Sequence, residues 1–110
     1  MTRLTTDIWV SAYLTRLRLA DIPAFVTQKG DVTAGAVLVK SNPLNGQATA
    51  YHRSFDLMSG ARAWVVLEAG AETDVDAAIS RQKSFDPDIW VIEVEDRAGR
   101  HLLDEDGLSD

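Results

Sequence analysis

The stretch SFDPDIWVIEVEDRAGRHL, residues 84–102, holds a short, almost unbroken apolar run between charged ends. Asp86 and Asp88 precede the run, Glu93, Glu95 and Asp96 close it, and Arg97 and Arg100 follow. On a strand, side chains two apart share a face, which groups Ile89, Val91, Glu93 and Glu95 against Trp90, Ile92, Val94 and Asp96. Both groups begin apolar. A strand of this kind is buried on two sides where it starts and emerges toward solvent where it ends. We expect it beside the first strand of the chain, antiparallel to it.

Two readings of its carboxylates compete. Clustered acids are what hard divalent cations select, so Glu93, Glu95 and Asp96, with Asp86 or Asp88 nearby, are candidate metal ligands. In that case His52, Arg62 or Arg81 would hold an anionic substrate for a metal-dependent hydrolase. The spacing does not match nucleases that place a Pro-Asp ahead of an acid-x-Lys, because Glu95 stands where the lysine belongs. In the other reading Asp86 and Asp88 flank Pro87 in a turn and bond nearby amides. Glu93 and Glu95 then pair across strands with Arg53, Arg62 or Lys40. The second reading is preferred.

Working outward, residues 6–20 carry Val10, Tyr13, Leu14 and Leu17 at helical spacing, widened by Ile8 and Trp9, with Thr6 as N-cap and Pro23 beyond the end. Four strand-like runs follow at 24–28, 34–41, 47–55 and 61–68. Asn45-Gly46 is a hairpin signal between the second and third, and the short connections favour sequential antiparallel pairing. Gly35 and its flanking alanines suit a close helix–sheet approach. Residues 74–84 form a second helix with Thr73 as N-cap and Asp76 at the capping-box position. After the fifth strand, Ala98-Gly99 turns the chain into RHLL as a short edge strand. The expected fold class is α+β: about five mostly antiparallel strands in the order α-β-β-β-β-α-β, with the two helices on one face. Residues 1–103 form one domain, and 104–110 an acidic, solvated C-terminal tail.

Composition narrows the functions available. At 110 residues, 45 % hydrophobic and 25 % charged, the chain is long enough for a core of its own. It has no cysteine, which excludes thiol nucleophiles and Cys-ligated zinc. The net charge is −6, but residues 1–85 hold nine bases and eight acids while 86–110 hold two bases and nine acids. Clustered Lys and Arg for phosphate contacts are missing, which argues against nucleic acid as a partner. No apolar run approaches the ~20 residues of a membrane span, and the N-terminus lacks the form of a signal peptide. A cytoplasmic protein is expected.

No motif points to a cofactor, and none is expected. His52 and His101 show no ligand spacing, and neither a G-x-S-x-G elbow nor a phosphate-binding glycine pattern occurs. Trp9, Trp64 and Trp90 are core material or interface anchors. Trp9 lies off the main helical stripe with Tyr13 and Arg16, so an exposed Trp9–Tyr13–Arg16 patch is the candidate partner surface. Its packing on the sheet edge is the somewhat stronger reading.

The segments IWVSAYLTRL, AFVTQKGDVTAGAVLVK, ARAW and DPDIWVIEVEDRAGRHLL resemble a family of short, mainly alphaproteobacterial proteins known only as a domain of unknown function. The resemblance spans nearly the whole chain and implies a free-standing cytoplasmic domain. It brings no activity, cofactor or catalytic residue. The expected function is therefore a small non-enzymatic module that binds another protein or itself, with a homodimer as one form; a divalent-metal protein is the alternative.

Overall fold

A computed structural model describes residues 4–55 and 57–108. The elements run α1 (Thr6–Leu19), β1 (Ala24–Gln28), β2 (Val37–Asn42), β3 (Gln47–Phe55), β4 (Arg62–Ala71), α2 (Glu72–Phe85) and β5 (Trp90–Glu95). The class and element order are those expected. The five strands form one sheet in the order β1-β5-β2-β3-β4. The two hairpins, β2–β3 and β3–β4, pair sequentially and antiparallel. β1 does not pair with β2, because β5 lies between them: antiparallel to β1 (Ala24↔Val94) and parallel to β2 (Val39↔Ile92). The run from Ile89 to Ile92 is apolar on both faces, and a place with neighbours on both edges is where such a strand is most completely dried.

The helices do not share a face. Val37, Val39, Trp90, Ile92 and Val94 pack with Trp9, Val10, Tyr13 and Leu17 of α1. Leu38, Ala50, Ile89 and Val91 pack with Val75 and Ile79 of α2 on the other side. The expectation of one covered face is thus corrected, for a physical reason. The central strands alternate apolar residues onto both faces, and each buried Leu, Ile or Val is worth roughly 1.5–3 kcal/mol relative to exposure. One covered face would leave Leu38, Ile89 and Val91 in water.

Several element ends differ from expectation. The N-cap of α1 is Thr5, whose hydroxyl donates to Asp7 Oδ1 at 2.6 Å, and Ile8 is exposed rather than part of the stripe. The helix ends in a Schellman turn: Ile22 N–H donates to Leu17 O at 2.9 Å and Asp21 N–H to Arg18 O at 3.0 Å, with Asp21 at φ 59. α2 starts at Glu72, directly from β4, without a side-chain cap. Glu72 N–H instead donates to Gly46 O at 3.0 Å, and the Asp76 carboxylate accepts from Lys40 rather than capping the helix.

The small-residue run 34–36 is loop, not strand. A Cβ on Gly30 would meet Asp88 O at 2.2 Å, and one on Gly35 would meet the same oxygen at 2.6 Å. These glycines let the loop lie on the backbone that leads into β5, rather than admitting a helix.

Residues 100–103 are not a strand. Leu102 takes φ 61, and Leu103 N–H donates to His101 Nδ1 at 3.0 Å. In the expected tail 104–110, residues 104–107 are exposed, but Leu108 is 1 % exposed and joins the α1-side core beside Leu103, while 109 and 110 lie outside the described residues. The acids of this segment face outward while Leu108 anchors it, so its charge hid its packing.

Candidate functional site

The sequence-nominated carboxylates are dispersed. Lys40, 5 % exposed in the middle of β2, donates to Glu72 Oε2 and Asp76 Oδ1, each at 2.7 Å, and lies 3.7 Å from Glu93 Oε1. Asn42 Nδ2 donates to Glu93 Oε2 at 3.0 Å and to Glu72 Oε2 at 3.2 Å. Burial works against the Lys40 ammonium, but hydrogen bonds to Asp76 and Glu72 outweigh it and hold the pKa above the usual lysine value. The positive charge a cation would bring is already supplied by Lys40, tying the start of α2 to β2 and β5. Pairing of Glu93 with Lys40 is what adjacent-strand charge complementarity predicts.

Asp96 is engaged by Arg100, Nε to Oδ2 at 3.0 Å and Nη2 to Oδ1 at 3.1 Å, which lowers its pKa. Asp86 Oδ1 accepts the Asp88 amide at 3.1 Å, the expected turn. Glu95 is half-buried at the strand end and Arg81 is exposed on α2. Among the described residues no three His, Asp or Glu side chains are placed to hold a metal ion.

The proposed surface patch is also reorganised. Trp9 and Tyr13 are buried, at 7 % and 0 % exposure, so they do not form an exposed surface with Arg16. Trp9 stacks on Tyr13 at 5.0 Å between ring centroids and meets Trp64 of β4 at 5.5 Å. The Arg53 guanidinium lies 4.5 Å from the Trp9 ring and 4.8 Å from the Trp64 ring. Such cation–π contacts are worth about 0.5–2 kcal/mol each. Arg16 remains exposed and donates to Asp106 O at 2.6 Å.

Polar groups of this cluster reach back to the C-terminal segment. Tyr13 Oη donates to His101 O and Trp64 Nε1 to Leu108 O, both at 2.8 Å. Burial raises the Tyr13 pKa and lowers that of His101, the latter opposed by Asp104. Trp90 Nε1 donates to Asp31 O at 2.8 Å, whereas Trp9 Nε1 is buried without an acceptor among the described residues. A dry, unmade donor costs about 1–3 kcal/mol.

Beside that indole the sheet has a notch. β3 continues past its last β2 partner, His52, through Phe55, and the loop 33–36 stands off from the overhang. The resulting cavity is about 740 Å³ and is lined by residues of both faces. Arg53, Arg62 and Trp9 line its α1 side, and Leu38, Ile89 and Asp86, the C-cap residue of α2, line the other. Of the sequence-nominated residues, the notch unites Trp9, His52, Arg62 and Asp86, though none was nominated for this combination.

The second open feature is the β4 edge. β4 is ten residues long and is the last strand of the sheet, paired among the described residues with β3 alone. Val65 and Val66 at its centre are 37 % and 54 % exposed. The adjoining hairpin carries Phe55, Leu57 and Met58 at 51 %, 89 % and 96 % exposure.

The family model described as protein of unknown function (DUF1491) matches residues 4–104. The chain belongs to the DUF1491 family. The crystal structure of a DUF1491 family protein from Caulobacter crescentus CB15 is 42 % identical, covers 94 % of this chain and 96 % of that one, and superposes with a TM-score of 0.83. An NMR structure of a DUF1491 family protein from the same organism gives 43 % identity, 96 % coverage of each chain and a TM-score of 0.84. A solution structure of a protein from A. tumefaciens is 28 % identical over 86 % of both chains, with a TM-score of 0.72. Among curated proteins, none matches the chain.

The DUF1491 description carries no activity, so the functional reading rests on the geometry. From sequence, Lys40 and Arg53 are only cross-strand partners for Glu93 and Glu95, and their fuller roles left partial signals. Lys40 is the one charge inside a buried run, VLVKSN, and such a lysine needs partners. Arg53 alternates with Tyr51 on the α1-facing side of β3, but its placement over two indoles from different elements has no local signature.

Proposed function

We propose that this DUF1491 protein is a small non-enzymatic interaction module that self-associates through the β4 edge. The observation that supports this is the edge itself: ten residues with one strand neighbour and an apolar centre at Val65 and Val66. Unpaired edge groups template pairing with another strand, and an edge that pairs with its own copy about a two-fold axis makes a closed dimer. Ala63 and Ala69 are small, so a second backbone meets little obstruction. Engagement of Glu93 by Lys40 and of Asp96 by Arg100 weighs against a metal-dependent hydrolase.

We also place the protein in the cytoplasm. The chain has no cysteine, and among the described residues no helix is long and apolar enough to cross a membrane.

Light scattering after size exclusion tests the reading. A dimer fraction that grows with concentration and is abolished by Val66→Lys is expected. A monomer at every concentration, in native protein and variant alike, refutes self-association; a mixed sheet formed only with a foreign strand would be the heterotypic form of the same edge.

A further inference from the structure

The chain has two asparagines, and the residue that follows each sets them apart. Asn42 is 4 % exposed and precedes Pro43, whose nitrogen carries no hydrogen. Asn45 and Gly46 are both exposed, in the loop that joins β2 to β3. Asn45 Oδ1 accepts the Gln47 N–H at 3.0 Å. To reach an amide two residues on, the carboxamide folds back over the Asn45–Gly46 peptide, which turns its Cγ toward the Gly46 nitrogen. Among the described residues no backbone acceptor holds the Gly46 N–H. A Cβ placed on Gly46 would meet nothing within 4 Å, so that nitrogen is open to solvent.

We propose that Asn45 is a site of spontaneous deamidation, and that the isoaspartate it forms unfastens the start of α2. Base takes the proton from the Gly46 N–H, the nitrogen bonds to Asn45 Cγ, and the bond from Cγ to the side-chain nitrogen breaks. Ammonia leaves and a five-membered succinimide remains. The Gln47 N–H, already on Oδ1, stabilises the negative charge that gathers on this oxygen during the attack. Water then opens the ring. Addition at Cγ gives aspartate in the ordinary linkage; addition at the Asn45 main-chain carbonyl gives isoaspartate, with the chain running through Cβ and Cγ. The sum is amide plus water to acid plus ammonia, with nothing oxidised or reduced.

The two products act differently on the fold. Aspartate leaves the main chain as it was and keeps an acceptor for Gln47. Isoaspartate inserts a methylene carbon into the main chain of the loop and removes that acceptor. The Gly46 carbonyl, displaced by the insertion, is the group that accepts the Glu72 N–H at 3.0 Å at the start of a helix without a side-chain cap. Glu72 also accepts from Lys40, and Gln47↔Ala71 is the end pair of β3 with β4. A chemical change at the exposed loop therefore reaches the buried ion cluster and the end of the sheet.

The test is incubation of the full chain at mildly alkaline pH, folded and in urea, followed by peptide mapping with electron-transfer fragmentation, which tells isoaspartate from aspartate. The mass gain of a carboxyl over an amide is expected at Asn45 and not at Asn42. The folded chain should react within about tenfold of the unfolded rate, a barrier difference under roughly 1.4 kcal/mol. Slower reaction than that means the loop shields the amide and overturns the site. Asn45→Gln, whose ring would need six members, should slow the gain by more than about tenfold. An unchanged gain places the reaction elsewhere and overturns the assignment. In the isoaspartate fraction, isolated by chromatography, the Glu72 amide hydrogen should exchange about fivefold faster, the worth of one hydrogen bond, while Asn45→Asp keeps the native rate. Native exchange at Glu72 in the isoaspartate fraction overturns the effect on α2.

Discussion

Replacing Lys40 with methionine keeps the length and apolar stem of the side chain and removes only its charge. Two contacts of 2.7 Å and one of 3.7 Å converge on the Lys40 ammonium. At an effective dielectric of about 20, a unit charge pair at the shorter distance is worth about 6 kcal/mol before desolvation. Burying the ammonium offsets most of that, and breaking such a buried pair typically costs about 3–5 kcal/mol because the partner charges are stranded. Here the partners differ: the Asp76 and Glu72 side chains keep 55 % and 36 % of their surface in water, while Glu93 keeps 21 %. Asp76 and Glu72 rehydrate and Glu93 does so least, which puts Lys40→Met at the lower end, about 3 kcal/mol.

Urea unfolding followed by tryptophan fluorescence measures the effect. With an m-value of about 1.5 kcal/mol/M the midpoint falls by about 2 M. Adding Glu93→Gln to the variant should restore about 1 kcal/mol by neutralising the stranded carboxylate. The pKa of Lys40 is raised on folding, so its contribution is complete below the ordinary lysine value of 10.5 and is lost as pH rises through the higher folded value. The variant should lack that alkaline loss. A cost under about 0.5 kcal/mol, or a second substitution that destabilises further, would refute the argument and reduce the cluster to a surface ion pair.

Three further outcomes are expected. Leu108→Ala should cost about 2–3 kcal/mol in urea and red-shift the emission of Trp64, whose N–H donates to Leu108 O; no change would mean that the segment is solvated after all. Asp21→Gly should raise stability by about 0.5–1 kcal/mol in thermal unfolding, because a non-glycine residue now occupies the left-handed position of the Schellman turn. The folded-state pKa of His101 is lowered by burial, so its contribution is complete above the ordinary value of 6.5 and is lost as pH falls through the depressed folded value. Unfolding midpoints should therefore drop on that acid side, and His101→Asn should flatten the drop.

Local pattern carried far in this chain. The strands at 24–28 and 47–55 have the boundaries that alternation and turn residues predict, and the antiparallel neighbourhood of β1 and β5 follows from an apolar run needing cover. The failures share a cause. Alternation on β2 and β5 shows that both faces are dry, but it does not identify what dries them, so the opposite placement of α1 and α2 was not legible. Acid content in 104–108 masked one leucine that anchors the segment. Glu93 was traceable to Lys40 because charges on neighbouring strands seek each other. The notch was not, because it exists only where β3 outruns β2, a difference in strand length that pairing creates.

The insertion of β5 between β1 and β2 sets an order on the birth of the fold. Ribosomal synthesis delivers β1 and β2 early, yet the strand that joins them is the last of the five to be made. Until residue 95 has left the exit tunnel, β1 has no partner and β2 presents Val37, Leu38 and Val39 along a raw edge. A nascent chain can close the β2–β3–β4 meander and then must wait. That interval, when half the core is synthesised and unsealed, is when holdase chaperones or proteases meet this protein, and slower translation of residues 86–96 would lengthen it.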